Sequence, residues 1–171
     1  MQKNNKQTIY DYLNSKQIDF ECCNHNPVES MEDCALPSKI LGAPFCKNLF
    51  LCNRQKTEFF LLIIREDKKF KTAEVSKKIG KARLSFGESD ALFELLGTVA
   101  GAISPMGLVF DTGRKVTLIV DKDLLSYQKM CFHPVVNDAS LAMSVSDFFS
   151  KFLPSVNCEP IIIEIDGESV L

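Results

Sequence analysis

Histidine is scarce in this chain of 171 residues, with only His25 and His133 present. No serine sits in a G-x-S-x-G elbow and no aspartate partner can be assigned, so a catalytic triad is not expected. There is no G-x-x-x-x-G-K loop and no dinucleotide fingerprint, which removes the usual motifs for a nucleotide cofactor. The longest apolar runs, Phe59–Ile64 and Pro160–Ile163, fall far short of a membrane span. The first six residues, Met1 to Lys6, have no apolar segment behind them, so no signal peptide is expected and the cytoplasm is the expected location. The chain has seven cysteines but no C-x-x-C pair, and they read mostly as small buried hydrophobes of a reducing compartment. Cys22, Cys23, His25, Cys131 and His133 could be gathered around a metal, but their spacing fits no zinc pattern. Neither a metal nor a cofactor is expected.

What is present is an ordinary globular balance, 46% hydrophobic and 25% charged, enough for one domain over residues 1–171. The net charge of -2 is not the overall signature of a nucleic-acid binder. Its distribution is uneven, however. Lys68, Lys69, Lys71, Lys77, Lys78, Lys81 and Arg83 crowd one stretch that holds a single acid between its ends, Glu74. Such a run either steers a polyanion locally or is a solvated face.

Patterning predicts helices over Gln7–Ser15, from Ser30 onward with a break at Pro37, over Thr72–Ile79, from a Ser89 cap to Gly97, and over Ser146–Phe152. Strands are expected at Ile18–Cys22, Lys47–Cys52, Glu58–Arg65, Leu84–Phe86, Lys129–Phe132, Ser140–Ser144 and Pro160–Ile165. Leu108–Phe110 and Val116–Val120 are expected to pair as a hairpin around Asp111–Arg114. Phe59–Ile64, apolar on both faces, reads as a central strand. The fold class is α+β, with a mixed, mostly antiparallel sheet curled toward a barrel and surrounded by helices.

Three segments stand out chemically. Lys47 and Asn48 sit where Gly42 and Pro44 give way to an apolar strand, and a lysine there either snorkels to water or faces a cavity. Residues 97–107 carry three glycines and a proline, which suits a loop that approaches something closely. His133 to Asn137 follow another strand. A cationic lysine, an amide and backbone N–H groups can hold a phosphate or a developing oxyanion, so a pocket for a small, partly anionic ligand is expected. Cys46 beside Lys47 could be an activated thiol, though its expected place in the core argues against it.

The ordered motifs K-N-L-F-L at Lys47–Leu51, G-A-I-S-P at Gly101–Pro105 and F-H-P-x-x-N at Phe132–Asn137 resemble the YbaK/prolyl-tRNA-editing family across nearly the whole chain. The wording is most similar to the branch that clears alanine from proline tRNA. The resemblance implies the YbaK-type fold and hydrolysis of the aminoacyl ester at the tRNA 3′ end. It implies Lys47 near the terminal adenosine and its phosphate, Asn48 seating the substrate and His133 orienting substrate or shaping the pocket. It also implies Gly101, Ala102, Ile103, Ser104 and Pro105 around the aminoacyl group, with Asn137 beside them. The implied partners are the acceptor end of tRNA(Pro), met by the Lys68–Arg83 run, and prolyl-tRNA synthetase. Ala100 departs from the family, which often has proline there. Removal of cysteine from tRNA(Pro), or a tRNA- or synthetase-binding module without activity, are the alternative readings.

Overall fold

The computed structural model describes residues 2–167. Among those residues eight strands form two sheets. Strand β1 is Glu21–Asn24, β2 Cys46–Cys52, β3 Phe59–Arg65, β4 Ser85–Phe86, β5 Val116–Asp121, β6 Lys129–Phe132, β7 Ala139–Ser144 and β8 Ile161–Ile163. The larger sheet has the order β4-β2-β3-β5-β8 and the smaller one β1-β7-β6. Four of the six pairings are antiparallel; β3–β5 and β5–β8 are parallel. The fold is therefore α+β with a mixed, mostly antiparallel sheet, and the two sheets do not close into a barrel. Helices α1 (Gln2–Ser15), α2 (Ala35–Leu41), α3 (Thr72–Lys78) and α4 (Ser89–Leu96) surround them. The last helical stretch runs Val145–Asp147, Phe148–Phe152 as a π turn, and Leu153–Ser155.

β3 lies at the centre of the larger sheet, and Phe60 to Ile64 are all buried, as a strand covered on both faces must be. Alternate residues serve two cores. Cys46, Phe50, Leu61 and Ile63 pack toward α1, α4 and the Phe132–Phe148–Phe152 stack, while Leu51, Phe60, Leu62 and Ile64 pack with Val75 of α3.

Four sequence expectations are corrected. The hairpin at 111–114 does not form. Leu108 and Val109 belong to a 3-10 helix, Pro105–Val109, and β5 instead pairs parallel with β3. The Asp111 carboxylate caps the turn by accepting the N–H groups of Lys115 and Val116 at 3.0 and 2.8 Å, which imitates a hairpin turn in sequence. Pro37 does not break its helix, because it lies in the first turn of α2, where its missing N–H has no intrahelical partner to lose. Ser89 is the first helical residue of α4 rather than its cap, which falls on Glu88. The strand expected at Ile18–Cys22 begins only at Glu21, Ile18 being buried in the connection that precedes it.

The backbones of the two sheets are joined just before β2. The Cys131 N–H donates to the Pro44 carbonyl at 2.8 Å, and Phe45 and Cys131 form a parallel bridge. This junction brings the start of β2 beside the end of β6.

Candidate functional site

At that junction lies a cavity of about 210 Å3. Cys46 and Asn48 of β2 line one side, Gly101 and Ile103 of the glycine loop another, and His133 after β6 a third. A fourth wall comes from Val28 to Met31, together with Cys34. The cavity is open to solvent, so a small group can enter while the rest of a larger ligand stays outside.

The walls are tied together. Thr98 Oγ1 lies within hydrogen-bonding distance of two carbonyls, Ala102 at 2.8 Å and Val135 at 3.2 Å, which joins the glycine loop to the His133 corner. Ser104 Oγ accepts the Met106 N–H at 3.1 Å, and Pro105 begins the 3-10 helix that anchors the loop. A Cβ on Gly107 would come within 2.5 Å of the Leu96 carbonyl oxygen, so only glycine lets this anchor approach α4. Gly101, at φ +89°, gives the loop its bend at the cavity wall. Val135, β-branched and fully buried, is held at φ +57°, a strained conformation fixed by its surroundings.

The fourth wall was invisible to sequence reasoning. Asp33 accepts the N–H groups of Glu29 and Ser30 at 3.0 and 3.1 Å and the Ser30 hydroxyl at 3.1 Å. Those bonds hold its carboxyl below the ordinary aspartate range, the Glu29 N–H first among them. From the other side Asn137 clips the loop: its Nδ2 donates to the Val28 carbonyl at 3.1 Å, and the Val28 N–H donates to the Asn137 carbonyl at 3.0 Å. The Ser30–Asp33 spacing was legible as a helix start, but nothing in it pointed to a cavity.

Asn48, Gly101, Ile103 and His133 thus share one cavity, as sequence-level reasoning grouped them. Ala102, Ser104, Pro105 and Asn137 do not line it; they fix the residues that do. Lys47 lies on the opposite face of β2, with Leu49 and Leu51, because neighbouring strand residues point to opposite sides. Its ammonium donates to the Lys68 carbonyl at 2.7 Å and has no other partner among the described residues.

His133 is buried, and Phe45 packs on its ring at 5.4 Å. Burial drives its pKa below the usual histidine value. The Ala139 carbonyl opposes this and nearby His25 adds to it. The ring is neutral at pH 7. A carbonyl can only accept, so the proton resides on Nδ1, 3.1 Å from the Ala139 oxygen, and Nε2 is the acceptor nitrogen. The two thiols on the wall are protonated: burial pushes Cys46 up to about 12 and Cys34 up to about 11. Neither is an activated nucleophile. Among the described residues no group of three histidine, cysteine or acidic side chains is placed to hold a metal ion.

The basic run divides in the structure. Lys68 is buried and paired with Asp121 and Asp123 at 2.9 and 2.7 Å. Lys78 meets Asp166 and Glu74, and Lys81 meets Glu58. Lys69, Lys71, Lys77 and Arg83 are exposed and free of carboxylates among the described residues. No helix among those residues is long and apolar enough to cross a membrane.

Comparison with known proteins bears on the family and the fold. The family model described as the aminoacyl-tRNA editing domain matches residues 25–150. A prolyl-tRNA synthetase associated domain-containing protein 1 from Xenopus laevis is 30% identical over 165 residues, covering 94% of this chain and 97% of its own. A prolyl-tRNA editing protein ProX from Acetoanaerobium sticklandii is 29% identical over 142 residues, covering 83% and 87%. A solved structure of a candidate trans-editing enzyme for prolyl tRNA synthetase superposes with a TM-score of 0.71 at 13% identity, covering 96% of this chain and 98% of that one. At that identity the likeness speaks for the fold alone. With most of its length matched by the family model, this chain belongs to the aminoacyl-tRNA editing domain family.

Proposed function

We propose that the protein is a trans-acting deacylase that hydrolyses the ester of alanine mischarged onto tRNA(Pro). The observation that carries this reading is the cavity at the sheet junction, lined by residues from all three motif segments.

In this reading the aminoacyl group enters the cavity and the terminal nucleotides stay outside. Asn48 and the backbone of the glycine loop seat the ester. Water adds to the ester carbonyl carbon, the bond to the ribose oxygen breaks, and that oxygen leaves with a proton. His133 orients the water through Nε2. With its pKa lowered it is a weak base, which is adequate for an ester that is already activated. The protonated thiols argue against a covalent thioester route. Alanine and proline differ by a few carbons, and one methylene is worth only about 1–3 kcal/mol of discrimination in an apolar pocket, so a second sieve that excludes the larger residue by size has work to do.

Lys47 is assigned to a phosphate of the acceptor end. Its ammonium rests on a neutral carbonyl, and a phosphate oxygen offers a stronger, charge-assisted bond. Among the described residues β4 pairs only with Leu51 and Cys52 of β2, so no described strand lies beside the β2 edge at 47–49, where nucleic acid would pass. Lys69, Lys71, Lys77 and Arg83 would meet backbone further along the acceptor stem, with prolyl-tRNA synthetase as the enzyme whose product is policed.

The test is hydrolysis of alanyl-, cysteinyl- and prolyl-tRNA(Pro) by the native protein and by Lys47→Ala and Asn48→Ala. Rapid loss of alanine alone, slowed by both substitutions, is the expected result. Loss of cysteine instead would assign the protein to the cysteine-clearing activity. Binding of all three without hydrolysis would leave a non-catalytic module.

A further inference from the structure

Among the residues that line the cavity Glu29 is the one acid, and nothing in the reaction outlined above uses it. The other lining residues are apolar or small, or they are neutral polar groups: Asn48, Ser30, protonated thiols and an uncharged His133. The Glu29 side chain is exposed and makes no hydrogen bond or ion pair among the described residues. Its backbone, in contrast, is fixed twice. Asp33 holds the N–H groups of Glu29 and Ser30, and Asn137 clips Val28 by two bonds. An unpaired acid on a loop pinned from both sides is a poor arrangement for stability and a good one for meeting a cation. Building on the deacylase reading, we propose that Glu29 receives the α-ammonium group of the esterified amino acid, so that the site selects esters whose amine is free.

The chemistry of the substrate supports the assignment. An aminoacyl ester carries one positive charge, on the carbon next to the ester carbonyl. A carbonyl seated at Asn48 and the glycine loop leaves that amine to face another wall, and Glu29 supplies the only carboxylate among the lining residues. An N-acylated aminoacyl-tRNA, such as an initiator or a peptidyl-tRNA, has no ammonium and gains nothing from the contact. The carboxylate would thus protect chains in synthesis from hydrolysis.

The test uses two acceptor-stem ligands with the alanine joined to the 3′ ribose by a stable amide, one with a free amine and one N-acetylated. Because the ligands cannot be cleaved, binding is measured apart from catalysis. The native protein is expected to bind the free amine about tenfold more tightly, the scale of one hydrogen bond to a charged group. Glu29→Gln, an exposed and nearly isosteric change, is expected to bring the two affinities to within about threefold of each other. Equal binding of both ligands by the native protein, or a preference that survives Glu29→Gln, would overturn the proposal. Hydrolysis of the corresponding esters is followed alongside. A Glu29-dependent preference without hydrolysis would sink the deacylase reading while keeping the ammonium site, so the two failures are told apart.

Discussion

Lys68 opens the basic run, yet its side chain is folded away from solvent against Asp121. Its side chain is 7% exposed, and that of its partner Asp121 is 0% exposed. Asp121 also accepts the Arg65 and Asp123 N–H groups at 3.1 and 3.2 Å, so the lysine, the aspartate and the ends of β3 and β5 form one network. Replacing Lys68 by alanine leaves the Asp121 charge buried without its cation. Breaking a buried pair in this way costs about 3–5 kcal/mol. At ~2–4 °C per kcal/mol for a chain of this size, the melting temperature should fall by roughly 6–20 °C. Removing the charge on both sides, Lys68→Met with Asp121→Asn, should recover much of that loss, because no uncompensated ion remains. Thermal and urea unfolding followed by circular dichroism read both effects. Mobility shift with uncharged tRNA(Pro) provides the contrast: Lys68→Met with Asp121→Asn should bind normally, whereas Lys71→Ala with Lys77→Ala should bind more weakly. A Lys68→Ala protein of unchanged stability that had lost tRNA binding would refute the reasoning and return Lys68 to the surface.

Three further outcomes follow from the site. Because His133 is kept neutral, its folded pKa lies below the unfolded value of about 6.5; the folded state resists the proton, and stability falls as pH drops below ~6.5. Activity should be level around pH 7 and fall on the acid side with a midpoint under ~6.5, and in His133→Asn that acid limb should disappear from a pH–rate profile. Cys34→Ala and Cys46→Ala should each retain hydrolysis within about threefold, since thiols pushed up to about 11 and about 12 are not nucleophiles near neutrality; loss of activity with trapped thioester would contradict this. Asn137→Ala removes the side-chain clip on the Val28 carbonyl and should raise KM several-fold at nearly unchanged kcat, with a stability loss of about 1 kcal/mol. A kcat effect without a KM effect would place Asn137 in the chemistry instead.

The sequence by itself determined the local elements and the family. Apolar alternation located β2 and β3, glycine positions ended α3 and α4, and the motifs around Lys47, Gly101 and His133 named the three segments that meet. These are signals of short range, read from neighbouring residues. Only the tertiary structure decided what those segments do to one another. Asp111 looks like a hairpin turn, but it caps a bend that sends β5 parallel to β3, and strand pairing at that distance leaves no mark in the intervening residues. Lys47 and Asn48, adjacent in sequence, are parted by the alternation of a strand, and burial of the sheet on both faces turns that alternation into two separate environments. Lys68 looks like its basic neighbours until Asp121 and Asp123, more than fifty positions away, fold against it. Glu29, with no motif around it, reaches the cavity because Asp33 and Asn137 hold its loop there. Charge and burial are properties of what surrounds a side chain, and folding alone assembles those surroundings.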